Sequence, residues 1–325
     1  MAHRQGMSAA GRMQRVAVIV PCFNVRPHVE RAMRSALEQR GVEVEVIAVD
    51  DGSSDGTHEA LVAVARTLPS AIRVLRQANR GASAARNAGL RATDAPWIQF
   101  LDADDALRPG KLAEQCALAG ACGGAIVAGA YSNHFEDGRP DETVAPLMGD
   151  PWEALIRTRL GTTSANLFER RAVLDAGGWE EGLGSSQDYE LMFRMMKRGA
   201  TVAFDPEVRC DVLKRSQGSI SRTGERENWL RYLELRRAMR DHVKGLGPRH
   251  AEAVAMADQY LFMAVRVLSR HDRQAAFAAF DRLLPAGFVP SVSPATTAAY
   301  VKAYRWLGFR MAERLAGLIG RMTRA

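Results

Sequence analysis

The chain has 325 residues, 47% of them hydrophobic and 25% charged, which is enough apolar material for a sizeable core and too much for a disordered chain. The formal charge of +7 sits entirely at the C-terminal end: residues 225–325 hold 17 basic against 9 acidic side chains, whereas residues 1–224 hold 27 against 28. No stretch reaches the roughly 18 uncharged apolar residues of a membrane span, so the chain is expected in the cytoplasm, at most peripheral on the inner face of the membrane.

Residues 1–14 read as a flexible N-terminus. The apolar run behind them, "VAVIV" (16–20), is too short for a secretory leader. The four cysteines, Cys22, Cys116, Cys122 and Cys210, form no C-x-x-C pair, which suits reduced thiols. Further β-branched runs follow as "VEVIAV" (44–49), "IRVL" (72–75) and "WIQFL" (97–101). A helix over about 27–40 places Val29, Met33, Ala36 and Leu37 on one face, and another over about 57–68 does so with Leu61, Val64, Ala65 and Leu68. This alternation predicts a parallel sheet with helices on both faces, and such sheets bind ligands outside the carboxyl ends of their strands.

Three of these strands end in polar, turn-rich sequence: "PCFN", "DDGSSDGT" and "DADD". Asp102, Asp104 and Asp105 repel one another, so their clustering asks for a turn or a hard cation such as Mg²⁺ or Mn²⁺ to absorb the cost. "DDGSSDGT" imitates the start of an EF-hand loop, but its twelfth position is Val62 and a strand precedes it. Asp55 and Gly56 read as a turn before a helix capped by Ser54 or Thr57, while Asp50 and Asp51 end a strand on the ligand rim. In "GSSQDYELMFRMMKRG", Leu191, Met195 and Met196 form a core-facing stripe. Asp188 either completes an S-x-x-D cap with Ser185 or acts as a base. The histidines show no ligand spacing, and neither a dinucleotide nor a P-loop fingerprint occurs.

Taken in order, "VIVPCFN", "VDDGSSDGT", "NRGASAARNAGL", "FLDADD" with Pro109 and Leu112, "GGWEEGL" with "QDYELMFRMMKRG", and "RSQGSIS" resemble the inverting glycosyltransferases of family 2, over roughly residues 15–222. The resemblance implies the GT-A nucleotide-diphospho-sugar transferase fold, an α/β mixed sheet flanked by helices, over 15–224, with an α-helical extension over 225–325. It gives Asp51 to the nucleotide base, places Pro21, Asn24, Asn79 and Arg86 along the nucleotide-sugar site together with Asp50, and makes Asp102 and Asp104, with Asp105 beside them, ligands of Mg²⁺ or Mn²⁺ on the donor diphosphate. Asp188 becomes the general base. Many relatives carry Glu before that base, where this chain has Gln187. The implied donor is a nucleotide-diphosphate sugar, a UDP-sugar favoured, and the acceptor a carbohydrate or lipid-linked hydroxyl in polysaccharide, lipopolysaccharide or glycolipid synthesis. No nucleic-acid partner is expected. Two alternatives stand: a catalytically inactive nucleotide-sugar-binding protein, and a haloacid-dehalogenase-like phosphatase, whose D-x-D-x-[TV] loop would need Thr or Val where Ala106 stands.

Past residue 225 only helices are predicted: 227–243, 249–270, 272–283 and 297–323. In the last, Tyr304, Leu307, Met311, Leu315, Leu318 and Met322 recur at three- and four-residue steps, flanked by Lys302, Arg305, Arg314 and Arg321. Two readings fit that stripe: a helix packed on its own domain, or a basic amphipathic helix lying on an anionic membrane.

Overall fold

A computed structural model describes residues 13–67, 72–215, 225–293 and 296–322. The chain forms two compact units, the first built from residues up to 148 with 159–183 and 187–217, the second from 149–158, 184–186 and 218 onward.

In the first unit, β1 (Arg15–Cys22), α1 (Val29–Leu37), β2 (Glu43–Asp50), α2 (Thr57–Thr67), β3 (Ile72–Arg76), α3 (Ala82–Arg91) and β4 (Trp97–Phe100) alternate as the periodicity predicts. β5 (Ala106–Leu107), α4 (Lys111–Cys122), β6 (Ile126–Phe135), β7 (Glu142–Val144), β8 (Leu167–Glu169), α6 (Arg170–Asp175), α7 (Gln187–Lys197) and β9 (Val202–Lys214) follow. The strands lie in the order β3-β2-β1-β4-β8-β6-β9-β5, with β7 on β6. β1 pairs in parallel with β2 along its whole length, Arg15 opposite Glu43 and Cys22 opposite Asp50, and with β4 from Val16 opposite Trp97. The parallel sheet read from the alternation holds for β1 to β4, and β6 pairs in parallel with β9, but β8 runs antiparallel to both β4 and β6. The sheet is mixed, as the resemblance implies.

A strand paired on both sides and covered on both faces is apolar at every position, and Val16 to Val20 are wholly buried. Val16, Val18 and Val20 meet Met33, Ala36 and Leu61 in one core. On the other face α3 approaches β1 so closely that a Cβ at Gly89 would overlap the side chain of Ile19. The run of small residues in "ASAARNAGL" is what permits that approach.

In the second unit, α8 (Glu225–Gly245), α9 (Ala251–His271), α10 (Arg273–Leu283) and α11 (Ala298–Met322) pack around Phe262, whose ring lies 5.4 Å from Phe288, 5.6 Å from Tyr304 and 5.8 Å from Phe309. α5 (Pro151–Ile156) belongs with these helices. Arg236 of α8 is almost fully buried and donates to the carbonyls of Leu155 and Ile156, and Asp150 pairs with His250 at 2.8 Å. The unit therefore reaches back into chain that the boundary near 225 leaves with the sheet. α11 is not one continuous stripe: Gly308, at φ 71° and ψ 172°, interrupts it. Tyr304 turns inward with Phe309 and Ala312, while Leu307, Met311, Leu315 and Leu318 stay exposed. Among the described residues, no helix is long and apolar enough to cross a membrane.

Candidate active site

Because β1, β2 and β4 run parallel and adjacent, the loops after them share one rim. Main-chain bonds fix their relation: Asp51 N–H donates to Cys22 O at 2.8 Å and Leu101 N–H to Ile19 O at 3.0 Å. Pro21 is half-buried near the end of β1, and Asn24 just beyond it is exposed with φ 52°. Asn24 ties the first two loops together, since its Oδ1 accepts from Ser54 N–H and its own N–H donates to Ser53 Oγ, each at 3.0 Å. The cap of α2 differs from the expected Ser54 or Thr57. Asp55 accepts from Thr57 N–H at 3.0 Å, and the Thr57 hydroxyl instead accepts from Val25 N–H at 2.9 Å.

Asp50 is fully buried, accepting from Ser53 N–H at 2.9 Å and facing Arg76 Nε at 3.1 Å. Asp51 is 2% exposed and holds three donors: Gln77 Nε2 at 2.7 Å, Arg80 N–H at 2.9 Å and Gly81 N–H at 2.7 Å. These bonds shape the loop that carries the exposed Asn79 into α3. Gly52 has no room for a side chain, since a Cβ there would lie 2.9 Å from Asn79 N.

The three aspartates after β4 part company. Asp102, with its side chain 39% exposed, pairs with Arg86 Nη2 at 2.7 Å, and Asp104 pairs with Arg215 Nε at 3.0 Å. Asp105 is 4% exposed, and its Oδ1 accepts from Leu213 N–H of β9 at 3.0 Å. Among the described residues, no three His, Cys, Asp or Glu side chains converge into a ready metal cage. Burial, with the negative charge of Asp102, raises the Asp104 carboxyl above its usual range. The same causes, joined by Asp104 itself, push Asp105 well above it.

Arg86 links this loop to α7. Nearly buried on α3, it stacks 4.4 Å from the ring centroid of Trp179 and donates from Nη1 to Gln187 Oε1 at 2.9 Å as well as to Asp102. Asn87 holds Trp179 in place by a reciprocal pair of bonds, donating to Trp179 O at 2.8 Å and accepting from Trp179 N–H at 2.9 Å. Asp188 follows in the first turn of α7, half-buried, accepting from Tyr189 N–H at 2.9 Å. The Ser185 cap is not formed, for Ser185 Oγ has no hydrogen-bond partner among the described residues. Burial raises the Asp188 carboxyl, opposed by Tyr189 N–H and the charge of Arg86, and Asp102 adds to the rise. Asp188 and Asp102 thus feel one another's charge.

Sequence reasoning assigned no role to Arg215, Trp179 or Asn87. All three lie in motifs quoted for the family, but their partners are far away in the chain. The rest of "RSQGSIS" lies outside the described residues.

Comparison with known proteins bears on this rim directly. Residues 17–173 match the family model described as Glycosyl transferase family 2. The succinoglycan biosynthesis protein ExoO of Rhizobium meliloti (strain 1021) is 31% identical over 227 residues, 66% of this chain and 64% of that protein. The putative teichuronic acid biosynthesis glycosyltransferase TuaG of Bacillus subtilis (strain 168) is 34% identical over 125 residues, 38% of this chain and 50% of that one. The chain spans less than two thirds of the length of either relative. Among solved structures, S. aureus TarS 1–349 in complex with UDP-GlcNAc matches with a TM-score of 0.65 at 16% identity, covering 93% of this chain and 91% of that one. Mannosyltransferase PcManGT from Pyrobaculum calidifontis, in complex with GDP-Man and Mn²⁺, matches with a TM-score of 0.56 at 18% identity, covering 95% and 88%. At such identities the likeness establishes the fold, the GT-A one. Over residues 17–173, the stretch that builds the rim of β1, β2 and β4, the chain belongs to glycosyl transferase family 2.

Proposed function

We propose that the chain transfers a sugar from a nucleoside-diphosphate sugar to an acceptor hydroxyl, with inversion, in the synthesis of a polysaccharide, lipopolysaccharide or glycolipid. The observation that carries this reading is the chain of contacts Asp102–Arg86–Gln187, which ties the acidic rim to the first turn of α7. It supports a role for Asp188, next to Gln187, opposite the carboxylates that would face a diphosphate. The nucleotide sugars named with the two solved neighbours, UDP-GlcNAc and GDP-Man, support the donor class. A UDP-sugar is the donor we favour.

The donor set fits Mg²⁺ or Mn²⁺ in part. Asp102 is a part-exposed carboxylate and Asp104 a largely buried one, balanced by Arg86 and Arg215, so positive charge is already held beside both. Asp105 is turned toward β9, and its share is to orient the loop. Two carboxylates with water and diphosphate oxygens complete a hard-cation shell, and such an ion supplies neutralisation of the charge that develops on the leaving diphosphate.

Asp188 would accept the proton of the acceptor hydroxyl as that oxygen attacks the anomeric carbon from the face opposite the leaving group. A carboxylate raised by burial holds a proton better than a solvated one, which favours this role near neutral pH. One displacement inverts the centre, and no side-chain nucleophile is called for. The phosphatase alternative falls with the family match, and turnover of any donor with Mn²⁺ would exclude the inactive binder. The reading is tested by thermal shift over a panel of sugar nucleotides with and without Mn²⁺. Wild type should respond to one donor only when Mn²⁺ is present, and Asp104→Ala should lose that response. Equal donor affinity in the two proteins would sink it.

A further inference from the structure

α11 presents an apolar ridge that its own unit leaves uncovered. Trp306 is 82% exposed and Leu318 58%, and Leu307, Met311 and Leu315 lie between them on the outer side. The helix is interrupted at Gly308, and around that point Tyr304, Phe309 and Ala312 lie in the core while Trp306, Leu307, Met311, Leu315 and Leu318 stay in solvent. A contiguous exposed patch of this kind marks a binding surface in soluble chains.

Several arginines of the unit are already neutralised. Arg240, Arg266, Arg282 and Arg310 each pair with a carboxylate. Lys302, Arg305 and Arg314 flank the ridge, exposed, and none has a carboxylate partner among the described residues. Arg273 joins them, its Nη2 lying 3.7 Å from where a Cβ at Gly317 would stand, again without an acidic partner there. An apolar ridge alone would suit another protein's apolar face, but unpaired cations beside it ask for a surface that is apolar within and anionic at its edge. A bilayer with anionic headgroups has both properties.

We propose that α11 docks the protein peripherally on an anionic lipid surface, Trp306, Leu307, Met311, Leu315 and Leu318 entering the headgroup boundary while Lys302, Arg305, Arg314 and Arg273 meet lipid phosphates. This attachment is independent of the sugar chemistry. The full-length protein is floated with vesicles of phosphatidylcholine, alone or mixed with phosphatidylglycerol. Binding is expected only to the anionic vesicles and is expected to weaken in high salt. Arg305→Gln with Arg314→Gln should lower partitioning about 30-fold, from the roughly fivefold contributed by each cation near such a surface. Trp306→Ser with Leu318→Ser should abolish it, whereas Trp306→Phe should keep binding and lose the lipid-induced blue shift in emission. Unchanged sugar-nucleotide thermal shifts show that each variant is folded. Equal vesicle binding by wild type and the Ser double variant would overturn the proposal. So would a dimer in sedimentation velocity that Trp306→Ser dissociates, since a second copy would then cover the ridge.

Discussion

Asp188, half-buried, and Asp105, almost wholly buried, serve different ends. Asp188→Asn keeps size and polarity but cannot take a proton, so transfer should fall about 10²- to 10⁴-fold while the Mn²⁺-dependent donor response persists. Since burial and Asp102 raise the Asp188 carboxyl, the acid limb of the kcat/KM profile should lie above the ordinary aspartate range near 3.9. A limb at the solvated value would remove Asp188 as the base. Asp105 tests the sign of burial in stability. An acid whose folded pKa exceeds its unfolded value stabilises the fold while protonated, and loses that contribution as pH rises from the unfolded value through the folded one. Asp105→Asn, which can still accept from Leu213 N–H, should match wild type at low pH and become the more stable protein through that window, measured by denaturant midpoint in EDTA. At this scale the acidic positions were legible because "DDGS" and "DADD" follow apolar strands in a familiar order. Arg86 and Arg215 were not legible as partners of Asp102 and Asp104, because a charge pair across 16 or more than a hundred residues leaves no trace in local pattern.

The strands were legible where an apolar, β-branched run stood between helical patterns, not in proportion to their length: β6, ten residues long and largely buried, was not read from the sequence. β1, β2, β3 and β4 follow β-branched runs found directly in the sequence, whereas β8 has three residues and β5 two. β9 carries Pro206, and its pairing with β6 slips register at Gly129 and again at Ala130, so no clean alternation marks it. α3 is the instructive case. Its small residues give a weak apolar stripe, yet they are what lets it lie against β1. Gly89→Ala would improve helix propensity in isolation. Here the added methyl runs into Ile19, and the variant should lose about 1–3 kcal/mol, read as a lower urea midpoint at unchanged m-value. A variant as stable as wild type would show that α3 can move away from β1. α11 carries the opposite lesson, since one glycine splits a stripe that looks continuous on paper into an inward part and an outward part.

Over the whole molecule, sequence divides charge before structure divides mass. The acidic and basic side chains of residues 1–224 nearly cancel, and the excess of positive charge gathers on the helical unit. Every group proposed to hold the donor, from Pro21 to Arg215, belongs to the first unit, and the lipid-facing ridge belongs to the second. Ligand binding should therefore stabilise the chain unevenly. Donor at a hundred times its dissociation constant adds about 2.7 kcal/mol to the state that binds it, and local opening reports where that energy is felt. With donor and Mn²⁺, hydrogen exchange should slow in the loops after β1, β2 and β4, in the start of α3 and in the first turn of α7, since these carry Asn24, Asp51, Asp102, Arg86 and Asp188. Anionic vesicles should slow exchange along α11 instead, with or without donor. If donor protected α11 and left the rim after β4 unchanged, the acidic loops would have been assigned the wrong ligand, however well they match the family.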